Sequence, residues 1–234
     1  MNYYRTWAEK QSSLAQSLES GALGASYADG AIILCATIST MSCLLWARSR
    51  NTDKKRFIEI VARFGGGVPD STRVSGVLLA EAVPQLRQQL GIAEKALHLS
   101  ERNDKTEAEA ISICTAAGIQ DFKKRVRRYS YASLLYEEVR CGFAHEYKPG
   151  ERAADGDQLR TLARVPSREI SYTNALVIEN AIPVTRRRIY FPLERISEIA
   201  LAVADGMDNE CANLNANPFD NLRVSIPTPW WSEG

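Results

Sequence analysis

DFKKRVRRYSYASLLYEEVRCGFAHEY, residues 121–147, is the stretch that decides how this chain is read. Val126, Tyr129, Ala132, Leu135, Tyr136 and Val139 recur at three- and four-residue spacing, the pattern that gives a helix one apolar stripe. That periodicity predicts one long helix from Asp121 to about Tyr147. Lys148-Pro149-Gly150 ends it, because proline lacks the amide hydrogen a helix needs. The helix opens on a basic run in which Lys123, Lys124, Arg125, Arg127 and Arg128 put five cations into six residues. Such a run can hold RNA phosphates, with Tyr129 and Tyr131 available to stack on bases. It is equally a pattern for a solvated helix face.

The far end of the same stretch, Arg140-Cys141-Gly142-Phe143-Ala144-His145-Glu146-Tyr147, concentrates reactive side chains. His145 is one of two histidines in 234 residues. Histidine exchanges a proton near neutral pH, and arginine is a permanent cation whose fork fits a phosphate. Together they suffice to cleave RNA without a metal. The histidine takes the ribose 2′-hydroxyl proton or protonates the leaving oxygen, and the arginine holds the phosphate as charge builds on it. A plainer reading stands beside this one: Arg140 pairs with Glu137 three residues earlier, and His145 sits at a helix C-terminus where a cation is welcome. On a regular helix Arg140 and Tyr147 share a face, while His145 is rotated ~140° from Arg140. The groups therefore meet only if Gly142 loosens the helix or a second copy across a two-fold axis supplies the missing partner.

The spacing of Arg140, His145 and Tyr147 resembles the signature of the HEPN superfamily, small helical domains of bacterial toxins, abortive-infection systems and CRISPR-linked ribonucleases. Cys141 departs from the pattern, since a polar residue usually follows the arginine. Ile32 to Phe64, with Trp46 and Asp53-Lys54-Lys55-Arg56-Phe57, is also similar to stand-alone bacterial HEPN proteins, so the resemblance spans about the first two-thirds of the chain. It implies a HEPN-like helical bundle, a homodimer with a composite site, and metal-independent endoribonuclease activity by 2′-hydroxyl transesterification. Arg140, His145 and Tyr147 are then the catalytic set, RNA is the partner, and no cofactor or metal is implied. An antitoxin or another defence-system protein would be a further partner. The implied tyrosine role is either orientation of the histidine or phosphate, or nucleotidylation by a paired nucleotidyltransferase antitoxin; a packing aromatic at the helix end explains Tyr147 as well. A non-catalytic dimeric module binding RNA, a nucleotide or a partner protein remains the alternative, with Cys141 marking lost activity.

Outward from this region, Asn2 to Ser20 reads as an amphipathic helix closed by Gly21 and Gly24. Asp29 is the expected cap of an apolar helix reaching about Trp46–Ala47. Asp53 starts a third helix, with Phe57, Ile60, Val61 and Phe64 inward and Gly65-Gly66-Gly67 at its end. Pro69, Asp70 and Ser71 introduce a helix from Val74 to Leu90 interrupted at Pro84. Glu94 to Glu109 reads as an exposed helix or connector, and Ile111 to Ala117 is apolar. After a polar loop from Glu151 to Asp157, Glu169–Ile178 and Arg186–Phe191 alternate β-branched and aromatic residues around Asn180 and Pro183. That predicts a hairpin. Pro192 then opens a last helix to about Cys211, with Ile196, Ile199, Ala200 and Val203 inward. The expectation is a single mainly α domain over residues 1–234, with an antiparallel β-hairpin inserted at about 167–191 before its last helix, and an extended tail at about 214–234.

Composition narrows the class. Hydrophobic content of 45% and charged content of 24% fit a soluble globular chain, and a net charge of +1 confines any nucleic-acid footprint to local patches. The five cysteines, 35, 43, 114, 141 and 211, show no metal-type spacing, and an odd number argues against a disulfide framework. The expected setting is the reducing cytoplasm. The run from Ala31 to Ala47 is uncharged, but it contains Thr37, Ser39, Thr40 and Ser42 and is short of the ~20 apolar residues of a span. It reads as a buried core helix with no membrane partner. Arg186-Arg187-Arg188 is a further, weaker RNA candidate, and His98 has no sequence neighbour to work with.

Overall fold

Helix signals and breakers in the sequence translate into short, well-capped elements. In chain order these are helices α1 (Tyr3–Glu19), α2 (Tyr27–Leu45), α3 (Asp53–Phe64), α4 (Gly76–Ala82) and α5 (Arg87–Leu90). Strand β1 (Leu99–Ser100) precedes α6 (Glu107–Ala116), α7 (Phe122–Arg128), α8 (Tyr131–Leu134), α9 (Cys141–Glu146) and α10 (Gly156–Thr161). Strands β2 (Ser171–Glu179) and β3 (Ile182–Tyr190) lead to α11 (Leu193–Asn213). The computed structural model describes residues 2–21, 25–46, 52–66, 70–93, 99–161, 168–218, 222 and 230. Gly24, Ala47, Gly67, Pro69, His98 and Trp231 therefore lie outside the described residues. The chain is mainly helical with a small antiparallel sheet, and it packs as two compact units.

The first unit, Met1–Ser71 with Leu193–Gly234, is built from α1, α2, α3 and α11. Helix α2 packs against α1, α3 and α11. Leu34, Ile38 and Met41 of α2 are fully buried, with Phe57 and Val61 of α3 and Ile196, Ala200, Val203 and Met207 of α11. Each of these side chains larger than alanine contributes about 1.5–3 kcal/mol through removal from water. Helix α2 is long and apolar enough to cross a membrane by length and composition, and 56% of its most apolar window is buried inside the protein. Its cap is Ser26 rather than the expected Asp29. Asp29 lies three residues on, and its carboxylate accepts the Ser26 backbone N–H (2.8 Å) and hydroxyl (3.1 Å). The start of α1 is capped from α11, where the Asp208 carboxylate accepts the backbone N–H groups of Tyr4 (3.1 Å) and Arg5 (2.9 Å). Gly206 of α11 lies where a Cβ would collide with the Cβ, Cγ and Cδ1 of Phe64, so the absence of a side chain sets how closely α3 and α11 approach.

The second unit, Thr72–Pro192, replaces long helices with short elements tied by polar groups. Buried Asp104 is the main knot. Its Oδ2 accepts the hydroxyls of Tyr131 (2.5 Å) and Tyr172 (2.6 Å), and its Oδ1 accepts the Gly76 N–H (3.0 Å). The Ser75 hydroxyl, 2.8 Å from that of Tyr172, extends the network to the cap of α4. One carboxylate thus joins the start of α4, the start of α8 and the start of β2.

The long helix expected over 121–147 is not formed. It breaks at Tyr129–Ser130, because the backbone there pairs with the strand-like segment at Val74. Tyr129 C=O accepts Ser75 N–H (2.9 Å), and Tyr131 N–H donates to Arg73 C=O (2.9 Å). Ser130 then caps α8 through the Ser133 N–H (3.2 Å). Residues Leu135–Arg140 continue α8 as a π-helical turn before α9 resumes α geometry. The Glu94–Glu109 connector, in its described part, holds β1, a 3₁₀ turn at Glu101–Asn103 and the Thr106 cap of α6. The polar loop expected to Asp157 gives way to α10 at Gly156.

The hairpin forms, with its strands closer than the sequence suggested. Glu179 pairs with Ile182 across a two-residue Asn180-Ala181 turn whose φ angles, 50° and 64°, are both positive. This is the type I′ geometry that matches strand twist. Pro183 is therefore inside β3, opposite Ile178, and not in a loop. The strand order β1-β2-β3 makes β3 an edge, where proline is tolerated. The outward backbone of β3 is engaged further along, by Glu81 at Arg187 N–H (3.0 Å) and by Arg152 C=O at Ile189 N–H (2.8 Å).

Candidate functional site

Arg140 closes the π-helical turn and His145 lies near the end of α9, so the two candidate groups flank the point where the helix changes pitch. The guanidinium of Arg140 stands over the Tyr136 ring, 5.3 Å from its centroid. That contact orients the cation along the helix surface. His145 and Glu146 are exposed, and Tyr147 is 57% exposed with its backbone in the left-handed region (φ 53°, ψ 29°). Tyr147 N–H still donates to Phe143 C=O (3.2 Å), which makes this residue the turn that ends α9. Glu146 pairs with Lys148 (2.8 Å), and that hydrogen bond holds its carboxyl below the usual range.

From Arg140 to His145 the chain runs through α geometry, so the ~140° rotation between them persists within one protomer. Gly142 does not loosen the helix here. It makes room for the returning chain: a Cβ on it would lie 2.6 Å from Gly150 N and from Lys148 O. Lys148-Pro149-Gly150 thus folds back across α9, and Gly150 N–H donates to Glu138 C=O (2.7 Å).

Arg152, unforeseen in the sequence, completes this fold-back. Its guanidinium reaches Glu137 (2.7 Å) and Glu138 (2.6 Å), its backbone N–H donates to Glu138 (2.9 Å), and it lies over the Tyr129 ring at 5.6 Å. Glu138 is buried, so its charge needs this partner. Glu137 and Glu138 thus anchor the π-helical turn through Arg152. The only hint was an arginine in the polar stretch after Gly150, and no periodicity marks it.

The basic run divides. Lys123, Lys124, Arg125 and Arg128 are exposed on α7, whereas Arg127 is 8% exposed and bound to Glu107 of α6 at 2.6 Å. Because α7 and α8 are separate helices, the run and the Arg140–His145 pair do not share one rod. Arg56, in the stretch that carries part of the resemblance, is buried with its Nη2 3.4 Å from Cys43 Sγ. Arg186 forks onto Glu179 (2.8 and 2.7 Å). Cys141 is half-buried, and all five cysteines are free thiols. Among the described residues, no three His, Cys, Asp or Glu side chains converge as a metal site would require. Comparison with family models, curated proteins and solved structures finds no match to this chain.

Proposed function

We propose that this protein is a HEPN-type endoribonuclease that works as a homodimer in a bacterial toxin or antiphage system. The observation that carries the reading is the exposed His145 five residues after Arg140, on a helix whose preceding turn is π-helical, a distortion that recurs at functional sites. His145 removes the proton of a ribose 2′-hydroxyl, or gives one to the leaving oxygen. The 2′-oxygen attacks the adjacent phosphorus, the bond to the 5′-oxygen breaks, and a 2′,3′-cyclic phosphate and a 5′-hydroxyl end result. Arg140 offsets the charge on the pentavalent phosphorus, and Tyr147 orients the histidine or the phosphate. Since one chain points Arg140 and His145 apart, the two-fold partner brings a second α9 so that one cleft draws on both copies. Lys123, Lys124, Arg125 and Arg128 carry the strand.

The divergence of Arg140 and His145 also favours a second reading, a dimeric module that binds RNA, a nucleotide or a partner without cutting. Cleavage of single-stranded RNA in EDTA separates the two. Arg140→Ala and His145→Ala are each expected to lower the rate by about 10²-fold or more with the circular dichroism spectrum unchanged. Mixed Arg140→Ala and His145→Ala subunits should recover part of the activity. Cutting that survives both substitutions, or that stops with chelator alone, would sink the mechanism.

A further inference from the structure

The hairpin arginines outside the proposed cleavage set line a cleft of about 430 Å³ within the Thr72–Pro192 unit. Arg186 and Arg188 are two residues apart on β3 and so project from one face, and Val177 and Glu179 of β2 belong to that face through their cross-strand register. Leu78 and Glu81 of α4 supply a second wall, and Tyr129 with Arg152 a third. Burial raises the Glu81 carboxyl above its ordinary value, against the pull of Arg187 and Arg186.

Arg188 stands out in this lining. Its Nε is buried and meets no hydrogen-bond acceptor among the described residues. A buried donor left in that state is costly until an acceptor completes it, and for a guanidinium the fitting acceptor is an anion with paired oxygens. The neighbouring arginines are occupied to different degrees. Arg152 is held by Glu137 and Glu138, and Arg187 donates to Ala93 C=O (3.0 Å). Among the described residues Arg186 pairs with exposed Glu179, a pair that water and salt weaken, and also feels the charge of Glu81.

We propose that this cleft binds the phosphate of a nucleotide, with Arg188 as its first contact and Arg186, drawn from Glu179, as its second. Leu78 and Val177 offer apolar surface for sugar and base, and the volume falls in the range of small-ligand sites. The site is independent of the cleavage reading, since Arg140, His145 and Tyr147 do not line it. A free mononucleotide and the terminal nucleotide of an RNA strand present the same group.

Calorimetry on His145→Ala protein with AMP, adenosine and a short oligouridylate tests the assignment. AMP should bind, and adenosine should bind about tenfold more weakly or not at all. Arg188→Ala should weaken AMP about 10- to 100-fold. Glu179→Gln, an exposed change that spares the fold, should tighten AMP about two- to fivefold by freeing Arg186. Oligouridylate binding with the same dependence on Arg188 identifies a strand end as a source of the phosphate, and AMP binding alone identifies the free nucleotide. Equal binding of AMP and adenosine, no binding of AMP or oligouridylate, or AMP affinity indifferent to both substitutions, overturns the proposal whatever the outcome of the cleavage assay.

Discussion

The two units solve the same problem by different means. The α1, α2, α3 and α11 unit buries apolar stripes of long helices, and its buried Glu59 is paired within the same helix, with Arg63 (2.6 Å). The Thr72–Pro192 unit has short elements that bury little each, and it fastens them with ionic and hydroxyl groups at Asp104, Glu138 and Arg127. Hydrophobic packing is tolerant of small changes in volume, whereas a buried polar knot fails when one member is removed. The second unit should therefore be the more brittle.

The sharpest way to break this contrast is Asp104→Ala. It strands two tyrosine hydroxyls and the Gly76 N–H, and is expected to cost about 3–5 kcal/mol. All four tryptophans lie outside the Thr72–Pro192 segment in the sequence, so their fluorescence does not report on the second unit's own residues. In urea, hydrogen exchange in the second unit should show early loss while the tryptophan transition moves less. Equal shifts in both signals would mean that the two units unfold together.

A smaller effect sharpens the same comparison through pH. Burial raises the Asp104 carboxyl to about 6, against the hydrogen bonds of Tyr131, Tyr172 and Gly76 that favour the charged form. The unfolded chain releases that proton nearer pH ~3.9. Between these values the folded state holds a proton the unfolded state has lost, so stability is gained as pH falls through about 6 and lost as it rises. Urea unfolding at several pH values should show wild type gaining on Asp104→Asn between neutral and about pH 4.5. Parallel curves would refute the assignment.

In the first unit, Gly206→Ala sets a Cβ against the Phe64 ring. The clash should outweigh the helix preference of alanine and cost about 1–2 kcal/mol, and in the double variant with Phe64→Ala, which removes Cγ and Cδ1, the combined cost should be less than the sum of the two. An unchanged melting temperature would show that α3 and α11 can part without penalty. The smallest change is a gain. Ala181 holds a φ of 64° that suits glycine, so Ala181→Gly should stabilise the hairpin by about 0.5–1 kcal/mol, read from exchange rates of the β2 and β3 amides.

The contrast also explains what the sequence disclosed. Apolar spacing placed α1, α2, α3 and α11 within a few residues, because in that unit burial and periodicity agree. The reading failed at Ser130, where a cap and a backbone pairing to Val74, fifty-six positions earlier and invisible to local pattern, overrule a stripe that continues unbroken through it. Arg140, His145 and Tyr147 were visible as residue types; the structure sets Arg140, half-buried, just before α9 and leaves His145 and Tyr147 exposed at its end. Arg152 and Asp104 were not, since a single charge in a loop gains its meaning only from the partners that folding brings to it.

Pro183 on the edge of β3 bears on how this protein behaves when crowded. A hairpin tip showing Leu176 and Ile178 at 74% and 78% exposure has the composition that seeds fibre growth. Templating needs a row of free amides, and this edge offers few: proline has none, Glu81 takes that of Arg187, and Arg152 takes that of Ile189. Replacing Pro183 with threonine or valine would leave the monomer intact while opening a docking rail for incoming strands, and concentrated preparations would then thicken toward thioflavin-positive aggregates.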